Sequence, residues 1–264
     1  MPSSGDGIAD TGERMTDPVL LSLDKVFLEL RYPPSLLYQD FMGTIAHTAR
    51  SVFPEVELGL AEIVVHEGTP EDPRMRISPS LAWFSPTEGT AFVDFMMWVR
   101  PVAERILGEI IEVEEIHRVG VRSYSLLAMN TVDEGVSAFR RSVADHYGPP
   151  FSVLTGQPSG VRMEFRTTDW ETIEGHSFDL TAFLAPITLP DSVRERLSRE
   201  EQGYWEGGLL LDLDAALGEG QVVSVNSALE LAGSMAQRLS ATVDSLVNAL
   251  PKEKDELRER AEGH

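Results

Sequence analysis

Four segments alternate charged with apolar residues, the pattern that lines ionisable side chains along one face of a strand. In the first, Glu29 and Arg31 interleave with Leu28, Leu30 and Tyr32. In the second, Arg118, Gly120, Arg122 and Tyr124 stand opposite Val119, Val121 and Ser123. The third sets Arg162, Glu164 and Arg166 against Val161, Met163 and Phe165, and the fourth sets Asp212 and Asp214 against Leu211 and Leu213. A guanidinium is a planar fork of donors that matches a carboxylate or a phosphate. Arg31, Arg122 and Arg166 converging on a concave sheet face would therefore suit an anionic or planar ligand. The same residues also suit a solvated face crossed by Arg–carboxylate pairs. The candidate ligand-binding set is Glu29, Arg31, Arg122, Tyr124 and Arg166. Trp83, Trp98, Trp170 and Trp205 are the aromatic candidates for lining a cavity beside it.

Other chemistries find less support. The six histidines are widely scattered, with no His-x-x-x-His or His-Glu-x-x-His spacing, so no metal is expected. His66 beside Glu67, or the Asp212–Asp214 pair, would need a distant residue to complete a divalent-ion site. There is no cysteine to serve as thiolate or disulfide. The chain has no Gly-x-Ser-x-Gly elbow and no glycine-rich phosphate loop, and Gly218-Glu219-Gly220 lacks a third glycine. His117 with Glu114 or Glu115 is the remaining acid–base candidate. No catalytic residue and no cofactor is assigned.

Charge narrows the partners. The 264 residues carry a formal net charge of −21, shared almost evenly between the two halves. Such a surface repels nucleic-acid backbones and anionic membranes, so neither is an expected partner. The 19 arginines against 3 lysines favour planar ion pairing, and also fit a compositional coding bias.

The elements that must position these residues follow from periodicity. Residues 26–32 read as a strand stopped by Pro33-Pro34. Ser35 is placed to cap a helix with Leu37, Phe41, Ile45, Ala49 and Val52 on one face. Strand-like runs follow at 57–67, 74–84 and 90–99, and Pro101 suits the first turn of a short helix holding Val102, Ile106 and Ile110. The order then restarts. A strand over 116–129, with a bulge expected at Gly120, leads to a helix capped by Asn130 or Thr131 and ended by Gly148-Pro149-Pro150. Strands are expected at 151–155, 161–168 and 177–185, a helix at 190–202, a strand at 208–216 and a long helix at 224–250. In that last helix Val225, Leu229, Ala232, Ala236, Leu239, Val243, Leu246 and Leu250 step by three and four. This seam fits a dimeric coiled coil. The flanking Leu231, Met235 and Val247 widen it toward burial against a sheet.

The expected fold is α+β: two similar β-α-β-β-β-α units, mostly antiparallel sheets with helices on one face, and a long C-terminal helix. Residues 1–18 are expected to be a disordered leader, 19–112 and 113–250 the two units, and 251–264 a charged tail. No apolar run reaches the length of a membrane span, and the opening residues lack signal-peptide order, so the expected location is cytoplasmic.

Three short segments carry a resemblance. Phe27-Leu28-Glu29-Leu30-Arg31-Tyr32-Pro33, Arg118-Val119-Gly120-Val121-Arg122 and Leu211-Asp212-Leu213-Asp214 occur in the order seen in a sporadically distributed family of uncharacterised bacterial proteins. That family opens on an ELR-aromatic-Pro strand, has a central RxGxR segment followed by an aromatic, and closes with an LDxD strand and a helix. Here Ser123 stands where the family carries its aromatic, and Tyr124 follows one place on. The resemblance implies a shared fold and no activity.

The functional expectation is a non-catalytic binding or regulatory module presenting a sheet face or cleft to a small anionic ligand or a protein partner, with a homodimer as the expected assembly. The alternatives are a metal-independent enzyme acting on a small substrate between the two halves, and an architectural subunit of a larger assembly.

Overall fold

The computed structural model describes residues 19–59, 61–67, 73–86, 92–147, 163–200 and 205–249. The alternating segments become strands of one antiparallel sheet of nine. The first half of the chain supplies β1 (Val19–Arg31), helix α1 (Leu37–Arg50), β2 (Glu55–Leu58), β3 (Ile63–His66), β4 (Pro73–Ser78), β5 (Leu81–Phe84) and α2 (Phe92–Ala103). The second supplies β6 (Arg118–Met129), α3 (Val132–Tyr147), β7 (Met163–Ile173), β8 (His176–Thr188), α4 (Asp191–Glu200), β9 (Gly207–Leu217) and α5 (Val225–Ala249). Strand order is β2-β3-β4-β5-β1-β6-β9-β8-β7. In each half the first strand pairs with the last, β1 with β5 and β6 with β9, and the two first strands pair with each other at the centre. The α+β class is as the sequence implied, with a single continuous sheet running through both halves.

Strand alternation then divides inside from outside. Leu28 and Leu30, Val119 and Val121, and Leu213 and Ala215 are buried in one core with Ile45 of α1, Phe95 and Val99 of α2, and Leu229, Met235 and Leu239 of α5. Further along the same face, Leu127, Met129 and Leu209 pack with Ala138 and Phe139 of α3. The helix α4 is the exception to one-sided cover. Its Leu197 joins Leu126, Ala128 and Trp205, and Leu126 and Ala128 point opposite to Leu127 and Met129 because β-strand side chains alternate.

Several local expectations change. Residues 90–99 are not a strand, since α2 occupies Phe92–Ala103. Apolar residues fall at both parities there, so the strand period was never satisfied. Phe95, Val99 and Val102 are buried at helical spacing while Val93 and Met97 are exposed. Pro101 lies inside this helix, where it has no N–H to donate. The ladder re-forms as a wider π-helical turn at Glu104–Ile110, closed by Ile111 N–H donating to the Ile106 carbonyl at 3.0 Å. The runs at 57–67 and 74–84 each fold into a hairpin, β2–β3 and β4–β5. Ser35 does not cap α1. The cap position is Leu36 with no side-chain bond, and the Ser35 hydroxyl donates to the Ile111 carbonyl at 3.0 Å, tying β1's exit to the end of the π turn.

Gly120 is not a bulge either. It pairs regularly with Glu29 and Ala216, and the register shift on β1 falls between Ser22 and Lys25. The cap of α3 is Thr131, whose hydroxyl accepts from Glu134 N–H at 3.1 Å, while the Glu134 carboxylate accepts from Asn130 N–H at 2.9 Å. The expected leader, the strand at 151–155 and the charged tail lie outside the described residues. Among the described residues, no helix is long and apolar enough to cross a membrane.

Candidate functional site

On the central strands the face turned away from α1, α2, α3 and α5 is polar, and register decides which side chains meet there. Trp83 of β5 lies opposite Glu29 of β1, which lies opposite Gly120 of β6 and then Ala216 of β9. The next row is Phe27, Arg122, Asp214 of β9, Thr181 of β8 and Arg166 of β7. The row after that holds Tyr124, Asp212, Phe183 and Glu164.

Ion pairs knit the rows together. Arg122 forks onto Asp212, with Nε–Oδ1 at 2.8 Å and Nη2–Oδ2 at 2.6 Å, the bidentate geometry that makes such bonds strong. Arg118 reaches sideways across Gly120, donating from Nε to Glu29 Oε1 at 3.0 Å and from Nη2 to Asp214 Oδ2 at 3.3 Å. A side chain on Gly120 would stand against that guanidinium, its Cβ 3.5 Å from Arg118 Nε. Arg31 Nε donates to the same Glu29 oxygen at 2.8 Å. Three guanidiniums thus face three carboxylates.

The electrostatic consequences differ between members. The bond to Asp212 holds the Arg122 guanidinium protonated more firmly than an ordinary arginine, against the opposing effect of its partial burial. Burial pushes the Asp214 carboxyl above the usual carboxylate range, and the charges of Arg118 and Arg122 only partly offset it.

Beside the charges runs an aromatic wall. Phe27 stacks on Trp83 with ring centroids 5.1 Å apart, and Tyr124 meets Phe27 edge-on at 5.6 Å. The Arg122 guanidinium sits 4.9 Å from the Tyr124 ring centroid, within cation–π range. Together Phe27, Glu29, Trp83, Arg118, Gly120, Arg122, Tyr124 and Asp214 line a pocket of about 240 Å³ that straddles the junction of the two halves.

Of the sequence-derived set, the structure brings Glu29, Arg122 and Tyr124 into this pocket. Arg31 stands at its margin, 60% exposed and bound to Glu29. Arg166 shares a row with Arg122 but lies three strands away, 77% exposed and paired with Glu164. Phe27, Trp83, Arg118, Gly120 and Asp214 complete the lining. Arg118 and Gly120 share the strand face of Arg122 and Tyr124, and Phe27 has the same parity as Glu29, so alternation alone could have found these three, whereas Asp214 of β9 joins them only through its register with Arg122.

Trp83 is the one candidate tryptophan in the lining. Trp98 packs against Phe53, Phe84 and Phe95, Trp205 is buried beside α4, and Trp170 packs on the main core. His117 and Glu115 form an exposed pair at 3.3 Å. His66 is buried with its Nε2 at 3.3 Å from Glu57. Among the described residues no three His, Asp or Glu side chains are grouped to hold a metal ion.

The fold and site define an α+β protein with a nine-stranded antiparallel sheet, α1, α2, α3 and α5 on one face, and an aromatic, charge-paired pocket on the other, the face that α4 covers further along β6. No protein-family model, no curated protein and no solved structure matches the chain.

Proposed function

We propose that the chain is a non-catalytic binding module whose ligand sits on the open sheet face where β1 meets β6. The observation that carries this reading is the pocket itself, in which both halves of the chain place aromatic rings and hydrogen-bonding groups around one space. Phe27, Trp83 and Tyr124 are each partly exposed, and clustered aromatics on an otherwise charged face mark interaction sites. The ion pairs supply rigidity, since each arginine is tethered to a carboxylate of a neighbouring strand or of its own.

A second reading, a metal-independent enzyme acting in this pocket, is favoured by the raised Asp214 carboxyl, because perturbed titration concentrates at functional sites.

Native mass spectrometry of the full chain, purified at low salt from its natural source, tests the proposal. A retained mass of small-molecule size, lost in Trp83→Leu, is the expected result. A bare chain, with no mass retained and no binding of any small probe, would overturn it. Conversion of the retained molecule on incubation would favour the enzyme instead.

A further inference from the structure

The pocket's unused valences define its ligand more narrowly. Glu29 accepts both of its bonds on Oε1, and Asp214 accepts from Arg118 on Oδ2. That leaves Glu29 Oε2 and Asp214 Oδ1 as acceptors without a protein donor among the described residues. Arg118 and Arg122 each commit two N–H groups, from Nε and Nη2. A guanidinium has five donors, so donors also remain beside those acceptors. The rim is therefore mixed, able to give and to receive hydrogen bonds within one small space.

Charge excludes much of what the arginines alone would suggest. The four charged lining residues, Glu29, Asp214, Arg118 and Arg122, sum to zero, and Asp212 already occupies the fork of Arg122. An incoming phosphate or carboxylate would meet only the donors that Asp212, Glu29 and Asp214 leave over, would stand against those carboxylates, and would approach a chain of net charge −21. An ammonium would meet two guanidiniums. A neutral ligand meets neither penalty. The wall of Trp83, Phe27 and Tyr124 offers the flat π surface on which planar rings stack at useful strength. A volume of about 240 Å³ is below the roughly 300–1,000 Å³ of drug-sized sites, which suits one ring system and not a full nucleotide.

We propose that this pocket binds an uncharged, planar heteroaromatic ring with hydrogen-bond donors and acceptors on one edge, of nucleobase size, packed against the aromatic wall with its polar edge toward Asp214, Glu29 and the two arginines. This inference rests on the binding-module reading of the same pocket. Asp214 is the discriminating group. Its carboxyl accepts from a ring N–H when ionised and can donate when protonated, whereas an asparagine offers one of each.

The test is ligand-observed NMR and calorimetry on the full chain with adenine, cytosine and hypoxanthine as neutral rings, and benzoate, benzamidine and inorganic phosphate as charged controls. At least one neutral ring is expected to bind more tightly than all three controls. Trp83→Leu should weaken that binding roughly tenfold or more, the scale of a lost stacking partner. Asp214→Asn, which preserves shape and fold, should reorder affinities among the three neutral rings. Binding led by benzoate, phosphate or benzamidine would overturn the neutral-ring assignment and leave the binding module standing. Neutral-ring binding unaffected by both variants would overturn the pocket assignment. If no probe binds, the retained mass decides: a heteroaromatic supports the inference, another compound overturns it, and a bare chain overturns the binding module with it.

Discussion

Removing Arg122 exposes how much of the charged face is structural. Its partner Asp212 has only 8% of its side chain exposed, while Arg122 retains 39%. Arg122→Ala leaves a buried carboxylate with no fork to receive it. Breaking a fully buried pair costs about 3–5 kcal/mol, and exposed pairs contribute about 1 kcal/mol or less. Because the arginine is partly solvated, screening discounts the upper figure, and an intermediate loss of about 2 kcal/mol is expected. In a chain of this size that lowers Tm by about 4–8 °C. The assay is a double-mutant cycle of Arg122→Ala and Asp212→Ala, followed by urea and thermal unfolding. The expected coupling is about 1–2 kcal/mol, with the double variant more stable than Arg122→Ala predicts on its own. A loss in Arg122→Ala below about 0.5 kcal/mol, the range of an ordinary surface change, would refute the claim that this pair stabilises the sheet. The same variant then becomes a clean probe of the pocket.

Three further outcomes test other parts of the structure. Asp214 has a raised carboxyl through burial, so its contribution to stability is present below the unfolded-state carboxylate range and is lost as pH rises through the folded value. Asp214→Asn should therefore gain stability relative to the parent as pH rises, read as the difference in Tm across a pH 3–8 series, and a difference constant with pH would refute the assignment. A Cβ on Gly207 would lie 2.4 Å from the Thr131 carbonyl oxygen, whereas one on Gly43 meets nothing within 4 Å. Gly207→Ala is expected to cost more than about 3 kcal/mol and Gly43→Ala, within α1, to stabilise by about 0.5–1 kcal/mol, in the same unfolding experiment. Leu239 of α5 is buried in the intrachain core, so Leu239→Ala should lose about 2–5 kcal/mol by an amount independent of protein concentration, and a concentration-dependent loss would place the seam between subunits.

Most of the sheet was legible because its strands are amphipathic. Glu29 against Leu28 and Leu30, or Asp214 against Leu213, states which face is wet without any knowledge of neighbours. Helix α2 is illegible for the converse reason. Phe92, Val93, Phe95, Met96, Met97 and Trp98 are apolar at both parities, so alternation carries no information, and only the contacts with the core select the helix. The site was legible in its parity and not in its register. Nothing local to β1 says that Phe27 falls opposite Arg122, or Glu29 opposite Gly120. Those rows arise from antiparallel pairing of segments some 90 residues apart, bonded as Arg118 to Glu29 and Arg122 to Asp212. Arg166 matches Arg122 in residue type and in the alternation of its strand, and neither says that two intervening strands keep them apart.

The aromatic wall is what distinguishes this face from a merely soluble one. A sheet surface that needed only solubility is served by the Glu29–Arg118–Asp214 and Arg122–Asp212 pairs, which satisfy one another and present charge to water. Phe27, Trp83 and Tyr124 add nothing to that task, and leaving three adjacent rings partly wet forgoes the stabilisation that burying them would bring. They come from three strands, β5, β1 and β6, so no single local sequence preference puts them together. Gly120 strengthens the argument. A β-branched residue there would favour a central strand, yet glycine lies beneath Arg118, where a Cβ would already touch the guanidinium at 3.5 Å and a larger side chain would crowd it, and that guanidinium lies across the sheet with its charge spent on Glu29 and Asp214. The face thus has its charges internally paired and its rings partly exposed, which supports the proposal of a partner bringing a ring and a polar edge over one bringing a charge.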